Sequence, residues 1–247
     1  MVTTQPDPAR STRRQRGRAA AIEEIKAAAL DELRQHGARG VTMRGVARAV
    51  DMTPSGLYRY FDDHGALLAA LCVDAHDSLS AVLDSEQGLA PDVDCRSRWF
   101  RGSLALRTWA LTHVDEYALV VGPPLPGVDV AHRDLVRAAG RLRSHATRTV
   151  AEAIVSGELL PAPVSRAVSR MASEAPNAGT AVPGEVRAVT TGAVAALLGA
   201  VSFEAFGHLP GVAADREEHF RAYSLAVMRG MGFADVPDDH RALLPDR

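Results

Sequence analysis

The chain has 247 residues, of which 47% are hydrophobic and only 5% aromatic, and its formal net charge is −2. This length allows one large domain or a small domain joined to a larger one, and the near-neutral charge excludes a protein that is basic along its whole length. Few aromatic residues and abundant alanine argue against a β-sandwich or barrel and predict an all-α fold packed through small side chains.

The charge is unevenly distributed along the chain. Residues 1–61 hold eleven basic and six acidic side chains, whereas residues 62–247 hold seventeen basic and twenty-four acidic ones. A basic N-terminal part on an acidic remainder indicates an anionic partner for the N-terminal part.

The cysteine content and the hydropathy of the chain indicate the cellular compartment in which the protein is found. Cys72 and Cys95 have no metal-motif spacing and are too few for a disulfide scaffold, so we expect a reducing cytoplasm. The polar N-terminus lacks the apolar core of a signal peptide. The longest uncharged run, between Arg187 and Glu204, is shorter than the roughly 20 residues that span a bilayer. We therefore expect a buried helix there and no membrane partner.

The first predicted elements are a disordered basic arm and a helix. Residues 1–15 combine prolines with clustered arginines and cannot bury a core, so we expect them to be disordered. A helix is predicted from Arg16, and Gly37 supplies its C-cap. The apolar residues that carry its helical spacing are Ile22, Ile25, Ala29 and Leu33.

Two short helices follow. Thr42 is the predicted N-cap of the first of them. Asp51 makes the turn, and Thr53 caps the next helix with Pro54 at its first position, where the missing N–H costs nothing. This helix is barely two turns long and is predicted to end near Phe61. Residues 16–62 are therefore predicted to form a compact three-helix head.

Asp63 is the predicted N-cap of a long connector helix into a body that spans residues 63–236. Proline and glycine segments at 122–127 and 173–184 separate its elements. Residues 237–247 are predicted to be a polar, frayed tail. Further helices of the body are predicted at 93–113, 115–121, 131–157, 162–172, 184–207 and 215–232.

Two short helices joined by a tight turn are typical of the helix-turn-helix, whose second helix lies in the DNA major groove. Ser55 and Gly56 have small side chains or none, so the start of that helix is narrow where it would enter the groove. Tyr58, Arg59 and Tyr60 are then available to contact bases and phosphates.

Residues 41–71, VTMRGVARAVDMTPSGLYRYFDDHGALLAAL, resemble the DNA-binding head of the tetracycline-repressor (TetR) family of transcriptional regulators. The resemblance implies a three-helix head joined by a connector helix to a C-terminal helical body for ligand binding and dimerisation. It also implies a homodimer on palindromic double-stranded DNA that a small-molecule effector releases. The predicted DNA-binding residues are Thr42, Arg44, Thr53, Ser55, Gly56, Tyr58, Arg59, Tyr60 and His64.

The head departs from the family pattern at three positions. Gly45 replaces the acidic residue or alanine that is more usual in the second helix, and glycine lowers helix stability by about 0.5–1 kcal/mol relative to alanine. Asp51 stands where the family usually has a glycine in the turn, and Asp tolerates the left-handed backbone better than most residues. His64 stands where the family usually has a phosphate-contacting lysine, so a weaker or pH-sensitive contact is expected there.

The body is similar to the WHG subtype of the family in HVDEYALVVGPPLPGV and SFEAFGHL. The Trp and His of that subtype fall on Val194 and Leu198, and Gly199 is retained.

A concentration of aromatic residues between 99 and 117, in an aromatic-poor chain, predicts the wall of a pocket for a mostly apolar molecule, with plain core packing as the alternative. The nine histidines show no metal-ligand spacing, and no metal or cofactor is expected. The predicted ligand-binding residues are Trp99, Ser103, Trp109, His113, Tyr117, His145 and Phe203.

Small residues on the helix that contains Gly192 and Gly199 allow another helix to approach closely. They predict a homodimer through residues 185–207 and 218–232, unless these helices pack only within the monomer.

The predicted function is a ligand-responsive DNA-binding regulator that acts as a repressor. One alternative is a DNA-binding protein that binds constitutively and without a ligand. A small helical enzyme is the other, but the sequence has no nucleophile elbow, phosphate loop or metal cluster to support it.

Overall fold

A computed structural model of the chain describes residues 8–37, 40–88, 93–160, 184–209 and 214–244. Within these ranges the fold is all-α, as predicted, with one isolated antiparallel β-bridge between Leu159 and Phe233. The helices are α1 (Pro8–His36), α2 (Met43–Ala49), α3 (Pro54–Leu57), α4 (His64–Gly88), α5 (Cys95–Thr112), α6 (Val114–Val121), α7 (Arg133–Ser156), α8 (Gly184–Ala205), α9 (Arg216–Met231) and a 3₁₀ helix (His240–Leu243).

The chain divides into two compact units. The first contains the described residues up to Ala75 together with Ala118–Val136, and the second contains His76–Tyr117 and the described residues from Arg137 onward. The predicted head lies within the first unit. That unit is larger than the head because it also contains the first turns of α4 and the segment Ala118–Val136.

Helix α1 begins at Pro8, eight residues before the predicted start at Arg16. The expectation of disorder is therefore wrong for residues 8–15, and residues 1–7 lie outside the described ranges. Proline fits the first position of a helix, and the Arg, Gln and Ala residues that follow are good helix formers. The helix ends as predicted, with Gly37 at a φ of 69° and its amide bonded to the Leu33 carbonyl at 2.8 Å.

The predicted caps of α2 and α3 are confirmed. Thr42 Oγ1 accepts a hydrogen bond from the Gly45 amide at 3.0 Å, and Thr53 Oγ1 accepts one from the Gly56 amide at 3.1 Å. Asp51 takes the predicted left-handed backbone, with a φ of 51°. These local bonds satisfy helix-start amides that would otherwise lack partners.

The α-helical part of α3 ends at Leu57, before the predicted end near Phe61. Beyond it the backbone tightens, with the Arg59 amide bonded to the Gly56 carbonyl at 3.2 Å and the Tyr60 amide bonded to the Leu57 carbonyl at 2.9 Å. Bonds of this three-residue kind are typical of the last turn of a short helix.

The core of the first unit is formed by α1 to α4 and by a segment distant in sequence. Leu119, Leu125 and Val128 pack against the buried head residues. Gly65 on α4 lies so close to Gly127 that a Cβ there would overlap the Gly127 carbonyl oxygen. The fully buried residues of this core include Ile25, Ala29, Val46, Ala47, Leu57, Leu67 and Leu68.

The second unit packs α5 against α8 and α9. Its predicted helices are confirmed within a few residues, except 162–172, which with the loop at 173–184 falls outside the described ranges. The tail was predicted to be frayed, which is wrong for residues 237–244. His240 and Leu243 are buried, and the His240 ring stacks on Phe100 with 6.1 Å between centroids. A short polar segment can thus be ordered by two well-placed buried side chains.

Candidate nucleic-acid interface and effector cavity

Helix α3 has one buried anchor and an exposed polar surface. Leu57 is fully buried, whereas Ser55, Tyr58 and Arg59 on either side of it are exposed. Tyr58 exposes 51% of its surface, which is high for a large aromatic residue. The exposed side chains are therefore separated from the one that holds the helix to the core.

The two predicted threonines serve the helix starts and also face solvent. Thr42 and Thr53 are both exposed, and their hydroxyl oxygens accept the capping bonds. The Ser55 hydroxyl lies 3.0 Å from the Thr53 hydroxyl. This pairing orients the Ser55 hydroxyl at the exposed beginning of α3.

Exposed arginines give this surface its charge. Arg44, Arg48 and Arg59 are exposed and form no ion pair with any other residue in the described ranges. Guanidinium groups of this kind are available to phosphate oxygens. Arg48 was not among the sequence predictions, although its spacing of four residues from Arg44 places both on one side of α2.

Arg18 of α1 contacts two residues of the turn after α3. Its Nη1 donates a hydrogen bond to the Arg59 carbonyl oxygen at 2.8 Å, and its guanidinium carbon lies 5.2 Å from the centre of the Tyr60 ring. Tyr60 is half-buried and packs against the head core. Arg18 therefore positions the residues that follow α3, a role that its place in an arginine-rich segment did not reveal.

His64 is less exposed than a side chain that binds phosphate at a protein surface. The residue is half-buried at the first position of α4. Its Nε2 is enclosed and has no hydrogen-bond partner among the described residues. Gly56, the remaining predicted contact, lies at the partly exposed backbone of α3 and is tied to the Thr53 cap.

The second unit contains a cavity of about 100 Å³. Three of the predicted ligand-binding residues, Trp99, Ser103 and His145, lie in its wall. The wall also includes Leu79 and Leu83 of α4, Arg98, Gly102 and Leu106 of α5, Leu142, Ala146 and Thr149 of α7, and Val194, Leu197 and Leu198 of α8.

The other predicted ligand-binding residues do not line this cavity. The indole of Trp109 bonds to Ser78 Oγ at 3.0 Å and stacks on the His113 ring. Tyr117 is fully buried, and its hydroxyl donates to the Leu198 carbonyl at 2.8 Å. Phe203 is 56% exposed and borders a surface groove of α8 and α9. The amino-acid composition predicted which region contains the aromatic residues. Which of these side chains face the cavity depends on how each helix is rotated about its axis, and composition does not reveal that rotation.

Most polar groups of the cavity wall either form hydrogen bonds or ion pairs within the protein or carry no charge. Ser103 donates to the Trp99 carbonyl at 2.8 Å, and Arg98 pairs with Glu152 at 2.6 Å. Burial lowers the pKa of the His145 imidazole; the Asp84 carboxylate opposes this shift and Arg148 adds to it. His145 is therefore mainly uncharged near pH 7, and the cavity is mostly apolar.

Comparison with known families identifies the chain. The sequence profile described as "Bacterial regulatory proteins, tetR family" matches residues 25–71. The profile described as "Tetracyclin repressor-like, C-terminal domain" matches residues 99–227, which is more than half of the chain. The chain belongs to the TetR family. This TetR protein is thus a transcriptional regulator with a DNA-binding head, and not an enzyme.

Relatives and solved structures agree with this assignment. The HTH-type transcriptional regulators Mb1846 of Mycobacterium bovis and Rv1816 of Mycobacterium tuberculosis are each 29% identical over 229 residues, which cover 83% of this TetR chain and 94% of theirs. The regulatory protein SCO4313 has the same fold, with a TM-score of 0.71 and 24% identity over 87% of this chain and 98% of its own. RolR in complex with resorcinol is more distant, with a TM-score of 0.54 and 18% identity over 94% of this chain and 98% of its own.

Proposed function

We propose that this regulator is a cytoplasmic repressor that binds palindromic DNA as a homodimer and is released by a small, mostly apolar molecule in the cavity. The observation that carries the proposal is the double role of α4. Leu67 and Leu68 of this helix are buried in the head core, and Leu79 and Leu83 line the cavity. A molecule that displaces the second pair acts on the helix that holds the head.

The length of α4 makes this coupling direct. Leu68 and Leu79 are separated by about 16 Å along a continuous helix. Two heads about 34–36 Å apart fit successive major grooves, so a change in their spacing removes one head from its groove. A 100-fold loss of DNA affinity requires only about 2.7 kcal/mol of coupling between the two sites. RolR, which has this fold, was solved with the small aromatic molecule resorcinol.

The experiment measures the affinity of the protein for an operator in the presence and absence of a cavity ligand. An operator is first selected from random duplexes, and small molecules that raise the melting temperature of the protein are taken from a library. We expect a molecule of this kind to weaken operator binding about 100-fold, because it repositions α4. The Ala146→Leu variant fills the cavity, so it should keep its operator affinity and lose the response.

Two outcomes would contradict the proposal. If cavity ligands leave operator affinity unchanged, the regulator binds DNA constitutively. If they increase operator affinity, the ligand recruits the protein to DNA and does not release it.

The homodimer is supported by an uncovered face of α8 and α9. Gly192, Ala195 and Gly199 are exposed on α8, and apart from the backbone of α8 itself no atom of the described residues lies within 4 Å of the place where a Cβ would project from either glycine. Exposed Ala222 and Ala226 continue this small-residue surface on α9. Such surfaces allow two pairs of helices to pack closely as a four-helix interface.

A second copy of the chain fits this face better than lipid does. By length and composition alone, α4 and α8 each contain a window that could cross a membrane, and 50% and 28% of these windows are buried. The groove beside the exposed part of α8 is lined by Glu204, Arg216 and His219 as well as by apolar residues. Charged side chains are costly to place in hydrocarbon, whereas they are common at the rim of a protein interface.

We expect Gly199→Arg to raise the dimer dissociation constant by at least about 100-fold, because a charged side chain would be forced into a close, dry helix contact. Sedimentation velocity at micromolar concentration measures the change. Gly140→Arg on α7 is the matched control, since a Cβ there also meets no atom of the described residues outside its own helix within 4 Å and the residue is not part of the proposed interface. A wild-type monomer at micromolar concentration, or a dimeric Gly199→Arg variant, would rule out this interface.

A further inference from the structure

We propose that α8 couples the effector cavity to the homodimer interface, so that a molecule in the cavity weakens the dimer and dimerisation weakens the binding of that molecule. The inference rests on the proposed cavity and the proposed dimer, and it adds a link between them that does not involve the DNA-binding head.

Helix α8 presents opposite faces to the cavity and to the proposed partner subunit. Val194, Leu197 and Leu198 line the cavity, whereas Gly199 and Phe203 border the surface groove of α8 and α9. Successive residues of an α-helix are separated by about 100° around its axis. Val194 and Phe203 are nine residues apart and therefore lie on opposite sides of the helix. Helix α8 thus lies between the cavity and the proposed interface.

The cavity is too small to accept a ring without displacing its wall. It has a volume of about 100 Å³, whereas an apolar cavity that binds benzene has a volume of about 150 Å³. Protein interiors are close-packed, so the additional volume has to come from the movement of a wall helix. Helix α8 has room to move outward. Apart from its own backbone, no atom of the described residues lies within 4 Å of a Cβ placed on Gly192 or Gly199.

Buried hydrogen bonds determine which part of α8 moves. The Tyr117 hydroxyl donates to the Leu198 carbonyl at 2.8 Å, and Arg107 of α5 donates two hydrogen bonds to Glu204, each at 2.7 Å. These contacts hold the helix from Leu198 onward. We therefore expect a molecule in the cavity to displace mainly the turn before Leu198, which contains Val194 in the cavity wall.

The small residues of the outer face determine the sign of the coupling. Gly192, Ala195 and Gly199 are exposed on this face. The distance between packed helices depends on the side chains at their contact, so residues of this size bring two helix backbones close together. No long side chain is available there to change rotamer and absorb a shift. An outward displacement of α8 therefore costs free energy in the dimer and not in the monomer.

Coupling between two binding events is reciprocal. We expect a saturating molecule to raise the dimer dissociation constant about tenfold, which lies within the usual range for coupled sites. The dimer has two cavities, so each of them contributes half of this free energy. The molecule should therefore bind the monomer about threefold more tightly than it binds each cavity of the dimer.

The test measures both quantities on the full-length protein, with benzene as the probe. Sedimentation velocity gives the dimer dissociation constant with and without saturating benzene. Benzene titrations at protein concentrations above and below this constant give the affinities of the dimer and the monomer. Tryptophan fluorescence follows these titrations, since Trp99 lies in the cavity wall. We expect benzene to raise the dimer dissociation constant about tenfold and to bind about threefold more tightly to the diluted protein.

Two variants are matched controls. Gly199→Arg should be monomeric, so its benzene affinity should not depend on protein concentration and should equal that of the diluted wild type. Ala146→Leu fills the cavity from the side of α7. It should dimerise like the wild type, and benzene should not change its dimer dissociation constant.

The proposal is overturned if benzene does not bind, if it leaves the dimer dissociation constant unchanged or lowers it, or if Ala146→Leu responds like the wild type. Operator affinity, measured where the protein remains dimeric, separates these results from the proposed function. If benzene releases the operator without weakening the dimer, the repressor proposal stands and the link through α8 is wrong. If benzene weakens the dimer and leaves operator affinity unchanged, the link stands and the release mechanism is wrong.

Discussion

Arg107→Leu is expected to lower the free energy of unfolding by about 3–5 kcal/mol, because it leaves a buried carboxylate without its partner. Arg107 Nε and Nη2 donate to the two carboxylate oxygens of Glu204, each at 2.7 Å. The two side chains are 12% and 6% exposed, and the guanidinium also lies 5.8 Å from the centre of the Phe220 ring. The pair joins α5 to α8 in the second unit.

Urea denaturation of the wild type, the single variant and the Arg107→Leu/Glu204→Leu double variant measures this effect. The double variant should be much less destabilised than the single one, since it contains no unpaired buried charge. Equal destabilisation of the two variants would show that lost packing, and not the stranded carboxylate, causes the effect.

The head could be predicted in detail because its signals are local. Thr42 and Thr53 cap amides three residues away, and Asp51 adopts the turn conformation that its short polar side chain tolerates. Such interactions depend on neighbours in the sequence, so spacing alone reveals them. The end of α3 was missed because tight three-residue bonds follow Leu57 without any change in composition.

Interactions between distant residues could not be predicted in this way. Arg18 and the Arg59 carbonyl are 41 residues apart, and Arg107 and Glu204 are 97 apart. The basic N-terminal part of the sequence therefore predicted only an anionic partner, although Arg18 also binds the protein itself. For the same reason, the sequence could not show that Trp99 lines the cavity and that Trp109, on the same helix, does not.

The second large effect concerns DNA binding. We expect Tyr58→Ala/Arg59→Ala to weaken operator binding by about 2–6 kcal/mol per half-site, since each lost contact contributes about 1–3 kcal/mol. The stability of the head should change little, because both side chains are exposed. Leu57→Ala is the contrasting control. It removes a fully buried side chain and should lower the stability of the head by about 2–5 kcal/mol.

Salt dependence distinguishes the kinds of contact. If Arg59 binds phosphate, Arg59→Ala weakens binding to all sequences and lowers the salt slope by roughly one unit per contact removed. If it reads a guanine, preference is relaxed at one position in each half-site and the slope changes less.

We propose that α3 and the turn after it read the operator, and a single titration distinguishes this from reading by another surface. Purified wild-type protein and the Tyr58→Ala/Arg59→Ala variant are titrated against the selected palindrome at several salt concentrations, and thermal unfolding is measured on the same samples. We expect the variant to melt like the wild type and to have lost most of its operator affinity. Unchanged operator affinity in a folded double variant would show that another surface reads the DNA.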